Sequence, residues 1–350
     1  MKIKRFVLAS IPAIDAPPVL ENFSLEEADV PEELADGQVF AKTLYLSVDP
    51  YLRYRMIEDR GGNYLGAWKI NQVLDSYGIG EIEKSRNDQL KVGDIVLSPN
   101  WPWQTKCILD GSTLKKLDPG LVDGHLSHYL GVVGHNGVTS LLGIKEQGHV
   151  APGGNQTMVV SGAAGACGSA AGQIGRILGC SRVVGICGSK EKCAVLTSEL
   201  GFDEAINYKE PGLAYKLRAS CPGGVDVYFD NVGGEISDLV INLMKKNSHL
   251  VFCGQISLFN TSLPFDVNPQ TISILEDRNI ERKLFLLTDH ADKFDSATRQ
   301  LCEWFKAGKL KGKETIVQGF ENAAALPLSV ILQYVKAQPA QRTIYPACKR

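Results

Sequence analysis

An apolar segment runs directly into a glycine-rich turn near the middle of the chain. Residues 157–161 (Thr-Met-Val-Val-Ser) predict a buried strand, residues 162–168 (Gly-Ala-Ala-Gly-Ala-Cys-Gly) a tight turn, and residues 169–178 a helix. This order of strand, glycine turn and helix is typical of the phosphate-binding start of a dinucleotide-binding fold. The alternative interpretation is a structural turn that binds no ligand.

The turn matches a G-x-G-x-x-G fingerprint with one substitution, since Ala163 stands at the first glycine position. Gly165 holds the second position, where the backbone can approach a pyrophosphate, and Gly168 the third, where the helix packs close to the strand. The free N–H groups of the first helical turn would face the phosphates. A second strand predicted at residues 182–187 completes a βαβ unit and favours the ligand-binding interpretation.

The residues after the second strand favour NADP over NAD. An NAD site places an acid there to accept the ribose 2′-hydroxyl, whereas an NADP site needs room and positive charge for a phosphate. The residues in question are Gly188, Ser189, Lys190, Glu191 and Lys192. No acid ends the strand, and a hydroxyl and two lysines follow it, so we predict NADPH as the cofactor. The two lysines are also compatible with a solvated helix start.

Strands and helices continue to alternate downstream, which indicates parallel strands, right-handed crossovers and a doubly wound α/β sheet. Ligands bind at the carboxyl edge of such a sheet. Further strands are predicted at residues 205–208, 225–230 and 249–254, with helices at 192–200, 213–220 and 235–245.

The flanking regions are rich in short β-like runs. Runs such as residues 39–48 and 80–83, separated by Pro, Gly and charged turns, predict a mostly antiparallel, barrel-like domain. After a helix predicted at 299–306, β-like runs at 314–317 and 343–345 predict that the chain returns to this domain.

Length and composition fit a division into two domains. We expect residues 1–125 and 299–350 to form the barrel-like substrate domain and residues 126–298 the Rossmann domain, since 350 residues suffice for two cores. A net charge of −2 argues against a nucleic-acid partner. Neither a signal peptide nor an apolar run of about twenty residues occurs, so we expect a cytosolic protein without a membrane partner.

The cysteines and histidines do not predict a metal site. The nine cysteines include no C-x-x-C pair and fit reduced thiols, and the nearest two, Cys187 and Cys193, lie on the cofactor-binding segment. Zinc sites need clustered thiolates, or Cys, His and acid ligands at suitable positions. Four histidines share one stretch without such spacing: His125, His128, His135 and His149.

Several segments together resemble one family over nearly the whole chain, up to about Glu321. This combination resembles the zinc-independent leukotriene and prostaglandin reductase branch of the medium-chain dehydrogenase/reductase superfamily. The resemblance implies a Rossmann domain beside a GroES-like barrel domain. The segments are Leu46–Arg53, Trp101–Gln104, Val160–Ser169, Glu199–Asp203, Tyr228–Gly234 and Cys253–Ser257.

The resemblance implies NADPH-dependent reduction of the conjugated C=C bond of α,β-unsaturated ketones, with 15-oxoprostaglandins as lipid enone substrates. Two rival functions stay open. One is a quinone reductase on the same fold, and the other is a protein that binds NADPH without catalysis. The oligomeric state stays open between a monomer and a homodimer.

The resemblance also assigns cofactor contacts in four groups, each with a structural alternative. Tyr208 could pack at a strand end, Asn231 could cap a helix, and residues 285–287 could form an ordinary buried strand. The assigned residues are Gly165, Ala166, Cys167 and Gly168 at the pyrophosphate; Lys192 and Tyr208 at the adenosine phosphate, with Asn231 beside the dinucleotide; Cys253, Gly254, Gln255, Ile256, Ser257, Leu258 and Phe259 along the nicotinamide half; and Phe285, Leu286 and Leu287 at the nicotinamide ring.

The catalytic donor departs from the family pattern. Hydride addition to an enone places charge on an enolate oxygen, and removing one hydrogen-bond donor to such an oxygen costs about 3 kcal/mol. In the reductases that this chain resembles, a tyrosine hydroxyl and the ribose 2′-hydroxyl take that role, but the matching residue here is Phe259. Tyr51, water or the ribose hydroxyl could support the enolate, and Tyr51 could equally be a structural residue after Pro50.

Two further departures concern the substrate wall and the closing motif. The predicted substrate residues are Tyr51 and the segment Pro99, Asn100 and Trp101, in which Pro99-Asn100 replaces the family's Phe-Tyr pair. The closing G-x-N-x-G-K motif falls on residues 337–342, where only Arg342 keeps the family's chemical character. The sequence therefore predicts a slower enone reductase with a weakened edge of the cofactor site.

Overall fold

The computed structural model describes residues 1–57, 66–261 and 267–325, and the backbone alone at 333–336. The strands are β1 (Lys2–Leu8), β2 (Phe23–Asp29), β3 (Gln38–Val48), β4 (Asp75–Ser85), β5 (Ile95–Pro102), β6 (Lys106–Asp110), β7 (Lys115–Lys116), β8 (Thr157–Ser161), β9 (Arg182–Cys187), β10 (Glu204–Asn207), β11 (Val225–Asp230), β12 (Met244–Phe252), β13 (Thr315–Gln318) and β14 (Gln333–Lys336). The α-helices are α1 (His135–Glu146), α2 (Ala166–Leu178), α3 (Lys190–Ser198), α4 (Leu213–Ser220), α5 (Gly234–Ile241), α6 (Pro269–Asp277) and α7 (Phe294–Lys306).

The central sheet is parallel, with the strand order β10-β9-β8-β11-β12. Parallel strands are buried on both faces, and the middle strands are accordingly almost entirely apolar and inaccessible to solvent. Because winding reverses at β8, the switch point that binds ligands in such sheets lies at the carboxyl ends of β8 and β11. The predicted Rossmann fold is confirmed.

The sequence placed β9 and β11 at their observed limits but missed the start of β12. The helix predicted at 235–245 ends at Ile241, and β12 begins at Met244. Met244 is buried and pairs with Val225. Burial of this one side chain in the sheet outweighs the helical preference of the polar residues that follow it.

The second sheet is mostly antiparallel, in the order β13-β14-β3-β4-β5-β7, and β6 also pairs with β3. The run predicted at 314–317 is β13, and β14 pairs with β3, so the chain returns to this sheet as expected. The run predicted at 343–345 lies outside the described residues. The antiparallel sheet confirms the second part of the predicted fold class.

Helix α7 joins the two regions of the chain. It begins at Phe294 and packs on α1, with Leu301 in the shared core. The predicted boundary at 298/299 therefore falls inside a continuous helix, and the domain limits stay a prediction. In the ranges that the structure describes, no helix is long and apolar enough to cross a membrane.

The contact between α2 and Phe202 requires glycine at position 172. A Cβ on Gly172 would lie 1.9 Å from the Cζ atom of Phe202. Overpacking of this kind costs about 1–3 kcal/mol, although alanine would recover up to about 1 kcal/mol of helix propensity. We expect Gly172→Ala to lower the free energy of unfolding in urea, and Phe202→Leu in the same chain to restore part of the loss.

Gly223→Ala is the matched control, because a Cβ at Gly223 would meet nothing within 4 Å. Its unfolding free energy should stay close to that of the native chain. Equal free energies of unfolding for Gly172→Ala and Gly223→Ala would contradict this prediction, because the ring of Phe202 would then move aside at no cost in stability.

Candidate cofactor and active site

The glycine turn after β8 forms a cradle of backbone atoms that are too close together to admit side chains. Gly162 has a φ of +58°, and the N–H of Gly165 donates to its carbonyl oxygen at 2.8 Å. A Cβ on Gly168 would lie 2.3 Å from that same oxygen, so α2 can start this close only with glycine there. No side chain caps the start of α2, which leaves its first N–H groups available to an anion. The turn fits a pyrophosphate.

A buried carboxylate, Asp230, organises the carboxyl ends of β8 and β11. Asp230 is 1% exposed and accepts hydrogen bonds from three hydroxyl groups and two backbone N–H groups. A carboxylate satisfied in this way is held more strongly than by neutral hydrogen bonds alone. The donors are Ser161 Oγ (2.8 Å), Tyr228 OH (2.8 Å), Ser237 Oγ (2.5 Å), Val232 N (3.0 Å) and Gly233 N (3.0 Å).

Asn231 connects the same two strand ends. Its Nδ2 donates to the carbonyl oxygen of Ser161 at 2.7 Å, and its backbone N–H donates to Ser161 Oγ at 2.9 Å. The alternative that Asn231 caps the following helix is wrong, because Gly233 is the N-cap of α5 and no side chain caps it. Asn231 thus lies at the switch point, beside the predicted dinucleotide path.

The residues predicted for the adenosine phosphate gather at the end of β9. The ring of Tyr208 lies over Gly188, where a Cβ would come within 3.0 Å of Tyr208 Cε1. Tyr208 directly follows β10 and packs on Gly188, in agreement with the strand-end alternative, but it is 43% exposed, so its contact with the adenosine phosphate stays a prediction. Ser189 Oγ accepts from the N–H of Lys192 at 3.2 Å and caps α3. Lys192 is half-buried, whereas Lys190 is exposed.

The segment from Cys253 to Phe259 follows β12 and lies across the end of β11. The N–H groups of Cys253 and Gly254 donate to the carbonyl oxygen of Asp230 at 2.9 and 3.0 Å. Ile256–Leu258 then form a short 3-10 helix, and Phe259 is buried at its end. Backbone hydrogen bonds therefore fix the predicted nicotinamide half against the switch point.

Residues 285–287 reach the same edge but do not form a strand. The N–H of Phe285 donates to the carbonyl oxygen of Phe252 at 2.7 Å, and its ring stacks on His290 with centroids 5.1 Å apart. Leu286 precedes a 3-10 helix that begins at Leu287. The buried-strand alternative is wrong, and contact of these residues with the nicotinamide ring stays a prediction.

A 3-10 helix of the barrel region, Pro50–Met56, contacts this segment. The ring of Tyr54 packs on Phe259 with centroids 4.5 Å apart, and Arg53 Nε donates to Asn260 Oδ1 at 2.9 Å. Arg53 Nη2 also donates to the carbonyl oxygen of Ala13 at 2.8 Å. The sequence does not indicate Arg53 and Tyr54 as site residues, since a turn motif gives no sign of its distant partners.

A buried polar cluster lies at the start of α1. The ring of His135 packs on Tyr77 and Tyr51, with centroid distances of 4.5 and 5.9 Å. Burial lowers the pKa of His135, against the opposing effect of the Asp49 carboxylate. Burial likewise raises the pKa of Asp49, which accepts from Ser47 Oγ at 2.5 Å. The sequence offers His135 only as a possible metal ligand and does not predict its place in the site.

Asn136 connects this cluster to the glycine turn. Its Nδ2 lies 3.4 Å from Asp49 Oδ1, and its Oδ1 accepts from the thiol of Cys167 at 3.3 Å. A hydrogen bond with Cys253 and burial hold the pKa of the Cys167 thiol well above its usual range. The two predicted cofactor segments therefore meet through Cys167 and Cys253, next to the polar cluster.

The predicted substrate wall is corrected in part. Trp101 is fully buried in the barrel core, where its Nε1 donates to Thr43 Oγ1 at 2.9 Å, so it cannot line a substrate pocket. A Cβ on Gly78 would lie 2.4 Å from its Cβ, which shows how tightly the core encloses it. Pro99 and Asn100 are exposed. The closing motif at 337–342, including Arg342, lies outside the described residues.

The described cysteines are free thiols. Cys187 and Cys193 lie with their sulfur atoms 3.3 Å apart, and burial raises the pKa of Cys187 to about 12. Across the described part of the chain, no three His, Cys, Asp or Glu side chains are grouped to hold a metal ion.

Two family models match the chain, the N-terminal domain of oxidoreductase over residues 4–117 and zinc-binding dehydrogenase over residues 166–294. The putative NADP-dependent oxidoreductase YfmJ of Bacillus subtilis is 45% identical over 87% of this chain and 88% of its own length. The NADPH-dependent curcumin reductase of Escherichia coli is 36% identical over 91% of both chains. Prostaglandin reductase 1 of Bos taurus is 36% identical over 88% of this chain and 90% of its own.

The structure of CurA from Vibrio vulnificus in complex with NADPH superposes with a TM-score of 0.86. It is 33% identical and covers 96% of this chain and 100% of its own. The chain belongs to the prostaglandin and alkenal reductase-like family of the medium-chain dehydrogenase/reductase superfamily. Its cofactor is NADPH, and the glycine cradle has the shape to hold the pyrophosphate of that cofactor.

The Asp230 network should dominate the stability of the switch point. Asp230→Ala leaves two buried N–H groups and three hydroxyls without their acceptor, and each unsatisfied group costs about 1–3 kcal/mol. We therefore expect a loss of at least about 3 kcal/mol in the free energy of unfolding by urea. Ser237→Ala, which removes one hydroxyl donor to Asp230, should lose only about 1 kcal/mol.

Asp277→Ala, which removes an exposed carboxylate of α6, is the control and should leave stability almost unchanged. Equal stability of Asp230→Ala and Asp277→Ala would contradict the central role of Asp230, because water would then replace the carboxylate without loss.

Proposed function

We propose that the protein uses NADPH to reduce the conjugated C=C bond of α,β-unsaturated ketones, and that 15-oxoprostaglandins are among its substrates. The strongest support for this proposal is that segment 253–259 is in contact with aromatic and polar side chains of the barrel region. Tyr54 packs on Phe259, and Tyr51 packs on His135. An apolar cleft with few polar groups is the kind of site that binds and orients a small ligand.

The chemistry that NADPH supplies when bound is a hydride for the β-carbon, after which the C=C electron pair moves to the carbonyl oxygen and the α-carbon takes a proton from water. The chain's own residues exclude water and stabilise charge. Phe259 and Tyr54 present apolar surface beside the predicted nicotinamide half, and exclusion of water there would strengthen electrostatic interactions with the substrate. Phe259 has no hydroxyl, so a donor to the oxygen has to come from elsewhere in the cleft.

The substrate class is supported by the relatives and by these side chains. Prostaglandin reductase 1 and the curcumin reductase are reductases of comparable identity to this chain. The more specific likeness to prostaglandin reductase 2, a 15-oxoprostaglandin 13-reductase, is a prediction from the sequence motifs. It is the part of the proposal that the substrate panel below tests.

The first experiment measures NADPH oxidation with 15-oxoprostaglandin E2, a short alkenone and a quinone, with NADH as the cofactor control. We expect turnover of both enones with NADPH, and a higher kcat in Phe259→Tyr, because an added donor to the oxygen is worth up to about 100-fold. The saturated ketone should be identified as the product by mass spectrometry.

Other outcomes separate the rival functions. Turnover of the short alkenone alone would remove the prostaglandin assignment and retain the enone class. Turnover of the quinone alone would indicate a quinone reductase. Tight NADPH binding without turnover of any of the three, in the native chain and in Phe259→Tyr, would contradict the reductase proposal and indicate a non-catalytic NADPH-binding protein.

Lys192 should select NADPH over NADH. No carboxylate within the described ranges forms an ion pair with its ammonium group, which leaves the charge available to a 2′-phosphate. We expect Lys192→Ala to raise the KM for NADPH about ten-fold, equivalent to about 1.4 kcal/mol, and to leave the KM for NADH little changed.

Lys190→Ala is the matched control, since Lys190 is exposed two residues earlier on the same helix. Its KM for NADPH should stay near the native value. An equal rise in both variants would indicate a general charge effect of the helix start, and no rise in Lys192→Ala would contradict the assignment.

A further inference from the structure

The side chain of His135 contains a buried polar atom without a hydrogen-bond partner among the described residues. Its Nδ1 is shielded from solvent and has no hydrogen-bond partner among the described residues, while the side chain as a whole is half-buried. Buried polar atoms are nearly always hydrogen-bonded, and each exception calls for an explanation. A ring that retains hydrogen-bonding capacity inside a cleft can use it for a ligand.

The 3-10 helix Pro50–Met56 places His135 beside the predicted nicotinamide half. Side chains three residues apart in a 3-10 helix lie on the same face. Tyr51 and Tyr54 are such a pair, and Tyr51 packs on His135 while Tyr54 packs on Phe259. His135 and Phe259 therefore line the same face of this helix.

The surroundings of His135 keep its ring fixed and neutral. Tyr77 packs on the ring, and the adjacent Asn136 is held by Asp49, Cys167 and the carbonyl oxygen of Leu130. The positive end of the α1 dipole, at which His135 lies, disfavours an imidazolium ion, and burial acts in the same direction. A neutral imidazole at a helix N-terminus can polarise a carbonyl group through its N–H.

We propose that the imidazole N–H of His135 donates a hydrogen bond to the carbonyl oxygen of the bound enone and stabilises the negative charge that develops there. This inference rests on the proposed enone reduction. Of its polar neighbours, Asp49 and Asn136 are less suited as donors. Asp49 in its charged form only accepts hydrogen bonds, and the amide of Asn136 is already bonded to Leu130 and Asp49.

The kinetic experiment compares His135→Phe with His135→Gln in the full-length protein. His135→Phe keeps a ring but removes the donor, so kcat for enone reduction should fall about 100-fold. His135→Gln retains an N–H and should recover part of that loss. The Kd for NADPH should be unchanged in both, and His125→Phe, at an exposed histidine, should behave as the native chain. A native kcat in folded His135→Phe would overturn the proposal.

A binding experiment separates this inference from the proposed function. The native protein, with ¹⁵N-labelled histidine rings, is titrated with cyclohexane-1,3-dione in the presence of NADP⁺, since this diketone ionises to an enolate. We expect the ring signals of His135 to shift and those of His125 to stay. A shift without enone turnover would contradict the proposed reductase function and would still support His135 as the oxyanion contact. Turnover without a shift would overturn the role of His135.

Discussion

The carboxylate of Asp230 is the interaction on which the cofactor site depends. Its side chain holds Ser161 at the end of β8, and Val232 and Gly233 at the turn before α5. Its backbone carbonyl accepts from the first two residues of the predicted nicotinamide segment. One residue therefore positions the segments at both halves of the predicted dinucleotide path. Because a charged acceptor is strong and four of its five donors are buried, these hydrogen bonds hold the two strand ends together without a ligand.

The barrel region contacts the predicted nicotinamide segment, so we expect it to position the substrate. The helix Pro50–Met56 makes that connection through an arginine that binds both Asn260 and the carbonyl oxygen of Ala13. Arg53 is 2% exposed, so this connection is shielded from water and is stronger than a surface contact. Tyr51 and Tyr54 come to the cleft on the same short helix. Tyr51, Arg53 and Tyr54 therefore make their contacts with α1 and with segment 253–259 from one short stretch of backbone.

The sequence predicts the parts of this arrangement that are local. The observed limits of strands β9 and β11 are predicted from the sequence, because each is a mostly apolar run that ends at Gly, Asp or Ser. The turn at Gly168 follows from steric contacts within a few residues. Long-range contacts gave no such signal. The residues next to Trp101 in the sequence predict that it lines the substrate site. The small residues that enclose it belong to β4, which is distant in the sequence. Likewise, nothing near His135 indicates that Asp49 and Tyr77 will surround it.

The aromatic rings of Phe259 and Tyr54 are connected through Tyr51 to the polar cluster around His135. Phe259 supplies no donor, which by itself suggests weak stabilisation of an enolate. The strength of a hydrogen bond depends on the surroundings, however, and a donor in a dry, low-dielectric cleft acts far more strongly than the same donor in water. Phe259 is 8% exposed and its ring packs on Tyr54, so little of this surface is open to solvent. A hydrogen bond from His135 to the substrate oxygen would be strengthened by such surroundings, and it would act beside a hydroxyl introduced at position 259.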